Sequence, residues 1–262
     1  SVIKEISTQG FESRQESKEA ALAEETLTMS SFITLTLVKA EIASPDTKRR
    51  LVLKLSHLGA PGLIPTDHRQ RILKSEKESD QTYTATLEVN SESAVRHRMP
   101  LPVKSFPELL ADSPEIQSDH PEIRALALQL VKGRKDAWEA ALSINRWVYK
   151  NMGKALVDTV TALDALHDRR WECQSHTNLF VALARAGGIP SRVVNGLVYS
   201  NEYKGFLYHA WPEVYVGEWR ALDPTFGQDL VDATHIKLGD GEAGPLKLGE
   251  FIGRLEIELI DK

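Results

Sequence analysis

Residues 171–194 read W-E-C-Q-S-H-T-N-L-F-V-A-L-A-R-A-G-G-I-P-S-R-V-V, and Cys173 is the only cysteine of the chain. The apolar Leu179, Phe180, Ala182 and Leu183 predict a buried helix that begins at Cys173 and stops at Gly187-Gly188. A helix start offers unpaired N–H groups and a partial positive charge, which favour a thiolate. A free cysteine is as readily a small core residue, so the reading turns on what else reaches it.

Two later stretches supply the partners. In H-A-W-P-E-V-Y-V, residues 209–216, the side chains of His209, Trp211, Glu213 and Tyr215 share one strand face. His209 is expected to open that strand. Asp223 closes the next one, W-R-A-L-D at 219–223, where Pro224 ends the pairing. A loop of Val216, Gly217 and Glu218 sets Tyr215 opposite Trp219 and Trp211 opposite Asp223. His209 then lies one diagonal step from Asp223, on the same face and within reach. A two-residue loop would put them on opposite faces. Thiol, imidazole and carboxylate in this arrangement point to nucleophilic acyl transfer.

The rest of the chain reads as two parts. Residues 1 to about 28 are polar and acidic, with a short helix at Ala20–Ala23. Strand patterns follow at 32–38, 50–55, 70–73 and 82–89, with Leu51, Leu53 and Leu55 on one face, and Tyr83, Ala85, Leu87 and Val89 on another. Prolines 100, 102, 107 and 121 mark a connector. Helices are expected from Pro121 to Gly133, from Asp136 (with Glu139 as a capping pair) to Gly153, and over 161–166. Further strands fall at 192–199, 235–238 and 254–260. The expected organisation is a β-rich N-terminal module, residues 1–105, before an α+β catalytic domain, residues 106–262, whose buried Cys173 helix packs on an antiparallel sheet.

Bulk properties narrow the function. With 262 residues, 42% hydrophobic and 26% charged, the chain can build a sizeable core. A net charge of −5 argues against nucleic-acid partners held by phosphate contacts. No apolar run approaches the roughly 18 residues of a membrane span. One cysteine permits no internal disulfide and fits a reducing compartment or a secreted enzyme with one working thiol. The compartment stays open, a periplasmic or extracellular one being preferred, with a leader expected to have preceded Ser1.

The W-E-C…A-L-A-R-A-G-G-I-P-S-R-V-V-N-G run, H-A-W-P-E-V-Y-V and L-D-P-T-F together resemble the three blocks of the transglutaminase-like superfamily, related in fold to papain-like cysteine proteases. The A-T-H-I-K-L tail, residues 233–238, also resembles bacterial members. The resemblance implies Cys173 as nucleophile, His209 as general base and acid, and Asp223 as the group that orients the imidazole. Where many members carry Gly-Asp before the cysteine, this chain has Trp171-Glu172, which bears on how the nucleophile is approached. The implied chemistry is attack on a carboxamide or peptide carbonyl through a thioester, with a protein, peptide or cell-wall peptide as substrate and no cofactor. Hydrolysis is preferred over transamidation because no amine-binding feature is visible.

The backbone N–H of Cys173 is the expected first oxyanion donor, and Trp171 and Gln174 both stand as the second. His176, one turn from Cys173, either lines the pocket or sits on the helix surface. Trp211 and Trp219 either wall a groove or belong to the core, the core being preferred. Glu213 and Arg192 are expected to form a supporting ion pair. Two other classes compete. Cys173-x-x-His176 with His209 and Asp223 offers four zinc ligands, although structural zinc usually takes two or more cysteines; no metal enters the preferred reading. The second is a non-catalytic peptide-binding module on the same fold.

Overall fold

The computed structural model describes residues 4–6, 12–14, 36–96, 98–154, 161–168, 170–171, 173–241 and 247–260. The helix expected at Ala20–Ala23 and the first residues of the strand expected at 32–38 lie outside these.

The chain opens with a strand pair, β1 (Lys4–Ile6) and β2 (Glu12–Arg14), followed by β3 (Val38–Lys39), β4 (Arg50–Leu58), β5 (Gln70–Lys77) and β6 (Tyr83–Asn90). Helices α1 (Pro121–Val131) and α2 (Ala137–Asn151) come next. Then follow β7 (Gly153–Lys154), α3 (Ala162–Asp168), β8 (Arg170–Trp171) and α4 (Cys173–Ala186). Strands β9 (Ser191–Ser200), β10 (Gly205–Tyr215), β11 (Trp219–Ala221), β12 (Ile236–Asp240) and β13 (Glu256–Leu259) complete the chain. This is the mixed helix and antiparallel-sheet architecture that the sequence pattern predicts.

Two larger sheets carry the fold. The first runs β13-β4-β6-β5 and the second β11-β10-β9-β12, with β3 on β10. Alternation along β4 and β6 buries Leu51, Leu53, Leu55, Ala85, Leu87 and Val89. The last strand of the chain returns to the first sheet, Ile257 opposite Leu55. One apolar cluster packs the four helices against Val193, Val214, Val216 and Leu222. A second packs the first sheet against Leu197, Tyr199, Phe206, Tyr208 and Ile236 of the second.

Local chemistry sets the helix ends. Asp136 caps α2 through Oδ1, which accepts the Glu139 N–H at 2.9 Å. The Glu139 carboxylate accepts from Lys135 N rather than completing a box with Asp136. At α1 the cap is His120, whose side chain accepts the Glu122 N–H, while Asp119 pairs with Arg124. Helix α4 ends as its glycines predict. Gly188 adopts φ +80°, the Ile189 N–H donates to Ala184 O, and the Gly188 N–H donates to Arg185 O.

Strand β10 departs from expectation. It begins at Gly205, so His209 sits within the strand, opposite Gly196 of β9, and does not open it. The sequence G-F-L-Y before His209 pairs with Leu197–Ser200, a long-range partner that local periodicity does not reveal. Strand β11 ends at Ala221, and Asp223 instead makes an isolated bridge to Gln228. The hairpin register does follow the three-residue loop, with Tyr215 opposite Trp219.

Gly196 is required by close approach. A Cβ there would overlap the Ile236 carbonyl oxygen and come within 2.7 Å of Trp211 Cη2. Gly196→Ala therefore forces β12 or Trp211 away from β9. We expect a loss of about 1–3 kcal/mol in urea unfolding, whereas unchanged stability would show that the strands do not pack this closely.

Candidate active site

Each side chain of interest is held by a different element. Cys173 is the first residue of α4, a helix buried from Ser175 to Arg185, and is itself partly exposed. His209 sits in β10 between β9 and β11, 5% exposed. Asp223 follows β11 and is fully buried.

These residues meet. His209 Nε2 lies 2.7 Å from Asp223 Oδ2, and the Cys173 side chain is hydrogen-bonded to the same imidazole. With Nε2 on Asp223, Nδ1 is the ring nitrogen left for the sulfur. The remaining carboxylate oxygen is also occupied, since Asp223 Oδ1 accepts the Thr225 N–H at 2.7 Å and the Phe226 N–H at 3.0 Å. Asp223 is thus both the turn residue that Asp-Pro suggests and the partner of His209. The Phe226 ring lies 4.9 Å from the imidazole, and Trp211 lies nearly parallel to it at 6.1 Å.

Burial shapes the electrostatics. Desolvation disfavours the His209 imidazolium, but the Asp223 charge and then the Cys173 sulfur outweigh it, pushing His209 up to about 10. Burial likewise opposes the Asp223 carboxylate, but the His209 charge and hydrogen bonds from His209 and His235 hold it well below the usual range. On the same strand face, buried Glu213 pairs with Arg192 at 2.8 Å, as expected, and with Lys237 at 2.9 Å. The two cations come from β9 and β12, so this cluster braces the strands around His209.

The other sequence candidates have their own partners. Gln174 donates to Asn178 at 2.9 Å and accepts from Asn195 at 3.1 Å, which ties its amide to α4 and β9. Trp171 lies in β8 opposite Lys154, and Glu172 is outside the described residues. His176 is 1% exposed, an interior residue rather than a helix-surface one, because its face of α4 is covered. Trp211 is core, fully buried. Trp219 does not flank the imidazole; it packs on Tyr215 and Phe106 with the Arg192 guanidinium 4.3 Å above its ring.

The sequence reading missed His235. Its Nε2 lies 3.1 Å from Asp223 Oδ2, and its Nδ1 lies 3.2 Å from Asp232 Oδ1. The only sequence signal for it was the A-T-H-I-K-L tail. His209, Asp223 and His235 bring ligand-type atoms within 4.8 Å of one another, and among the described residues neither Cys173 nor His176 joins such a group. Both Nε2 atoms are already hydrogen-bonded to the carboxylate, so internal pairing accounts for the cluster and we assign no metal to it.

The raised His209 value carries a stability consequence. A group shifted from 6.5 to about 10 on folding contributes stability that is complete below pH 6.5 and is lost as pH rises toward 10. The melting temperature of the unsubstituted chain should fall across that interval more steeply than that of H209Q. Parallel curves would contradict the assignment.

Residues 124–224 match the profile of the transglutaminase-like superfamily. An uncharacterised protein of Mycobacterium leprae is 32% identical over 105 residues, 36% of this chain and 37% of that protein. The mouse kyphoscoliosis peptidase is 35% identical over 86 residues, 28% of this chain and 12% of its own length. The matched region thus spans little more than a third of the first relative and about an eighth of the second. The crystal structure of a candidate cysteine protease from Cytophaga hutchinsonii superposes with a TM-score of 0.54 at 18% identity, covering 79% of this chain and 83% of that one. No helix among the described residues is long and apolar enough to cross a membrane. Residues 124–224 thus resemble a transglutaminase-like core, and the fold is shared with the Cytophaga hutchinsonii protein.

Proposed function

We propose that this transglutaminase-like core is a cysteine-dependent acyl-transfer enzyme acting on amide or peptide bonds, with hydrolysis as its main outcome. The observation that carries the reading is the single imidazole held between the Cys173 side chain and the Asp223 carboxylate. The similarity to a mouse protein named as a peptidase points the same way.

In this reading Cys173 reacts as a thiolate beside the His209 imidazolium. The sulfur attacks the carbonyl carbon, and the oxygen that gains charge is met by the backbone N–H of Cys173 at the start of α4. As the C–N bond breaks, His209 gives its proton to the departing amine, leaving a thioester on Cys173. His209, now neutral, takes a proton from an entering water, whose oxygen attacks the thioester carbonyl. The C–S bond breaks, and the product acid and the thiolate–imidazolium pair are released. Asp223 holds the ring so that Nδ1 faces the sulfur throughout. It stays ionised and does not itself relay a proton. Substrates are proteins, peptides or cell-wall peptides.

Incubation of the full chain with a peptide library, followed by intact-mass analysis, tests this directly. An acyl adduct on Cys173 that disappears in C173A is expected, with turnover reduced by up to about 10⁴-fold in D223N. Repeating the incubation with an added primary amine separates the two fates of the thioester. Free acid as the dominant product supports hydrolysis, and amide as the dominant product shows transamidation. Absence of any adduct across the library, with equal rates in C173A, would sink the enzyme reading in favour of a peptide-binding module.

A further inference from the structure

Asp223 Oδ2 accepts from two imidazoles, His209 Nε2 at 2.7 Å and His235 Nε2 at 3.1 Å. His235 is fully buried, edge-on to Trp211 at 5.2 Å and to the His209 ring at 5.9 Å.

Its far side is as closely specified. Nδ1 faces Asp232 Oδ1 at 3.2 Å, an oxygen that also accepts from the Thr234 N–H and hydroxyl. Asp232 Oδ2 accepts from Gln228 Nε2, and Gln228 is the residue whose backbone bridges Asp223. The chain of contacts closes on itself, from Asp223 to Gln228, to Asp232, to His235 and back to Asp223. Arg69, from the edge of the first sheet, clamps this loop by donating to the carbonyl oxygens of Asp232 and His235.

A neutral imidazole has one N–H, yet His235 lies between two carboxylates that, when ionised, can only accept. Both are held below the usual carboxylate range; burial opposes ionisation in each, and the facing imidazoles outweigh it. Each ring nitrogen of His235 faces a carboxylate oxygen, Nε2 that of Asp223 and Nδ1 that of Asp232. The charged groups that face it are Asp223, Asp232 and His209, with Arg69 acting through the backbone.

We propose that His235 is a positioning residue of the active site: by donating to the oxygen that receives His209, it fixes the Asp223 carboxylate and sets how firmly that carboxylate holds the His209 imidazolium. The inference rests on the triad reading above. Without the second donor, Asp223 would turn its full charge on His209 and bind the imidazolium too tightly for easy proton transfer to a leaving amine.

Nitrogen-15 NMR of histidine-labelled full-length protein tests it. In the unsubstituted chain His235 Nε2, the nitrogen 3.1 Å from Asp223 Oδ2, should carry hydrogen; a bare Nε2 overturns the proposal without any variant. In H235L the titration midpoint of His209 should rise by about one pH unit, the size expected for removing a neighbouring charge. H235Q, which keeps an N–H near the Nε2 position, should return the midpoint toward that of the unsubstituted chain. A purely structural His235 would lower the melting temperature of H235L and leave the His209 midpoint in place, and that result overturns the inference alone. An unsubstituted His209 that titrates at the ordinary value near 6.5 overturns the triad reading together with it.

Discussion

The structure depends on one contact, the 2.7 Å hydrogen bond between His209 Nε2 and Asp223 Oδ2, made out of water. Burying a carboxylate and an imidazolium is expensive unless both are fully hydrogen-bonded, and removing one partner of such a pair typically costs about 3–5 kcal/mol. Here the remaining capacity is filled. Asp223 receives two backbone N–H groups and a second imidazole besides His209, and the imidazole meets the Cys173 side chain. Folding therefore assembles these charges in place, which in the proposed reaction would leave little reorganisation.

The surrounding architecture makes that contact possible. Helix α4 is buried along nearly its whole length and stopped by a glycine C-cap, which fixes where Cys173 stands. Strand β10 is paired on both sides, and Gly196 opposite His209 lets the Ile236 carbonyl and Trp211 close in. The first sheet also contributes, since Arg69 reaches the Asp232–His235 segment and Gln70 bonds the backbone of Lys237 on β12. Residues on either side of position 105 share one apolar cluster, and β13 pairs with β4. The N-terminal strands are thereby joined physically to the segment that braces Asp223.

Much of this was legible in the sequence where signals are local. The Gly187-Gly188 stop, the buried face of α4 and the three-residue loop after Tyr215 are readable from residue type and spacing, and that loop predicts His209 and Asp223 on one face. The Arg192–Glu213 pair follows from adjacent strands of opposite charge. What stayed hidden depends on distant partners. The start of β10 at Gly205 is set by pairing with Ser200, and Gln174 is claimed by Asn195 across the helix–sheet interface. His235 was missed because twelve residues and an irregular turn separate it from Asp223, and no periodicity connects them. Trp219 looked like a neighbour of the site from its hairpin, but the cation and aromatic rings around it draw it elsewhere.

The central claim is that the Cys173 sulfur, held at a helix start, shares its proton with an imidazole that Asp223 keeps charged. The rate of Cys173 alkylation by iodoacetamide as a function of pH, followed by intact mass in the unsubstituted chain and in H209Q, tests it most directly. The triad reading predicts rapid alkylation of the unsubstituted chain and a much slower rate in H209Q at the same pH. A thiol that reacts like free cysteine at every pH, with no difference between the two proteins, would contradict it.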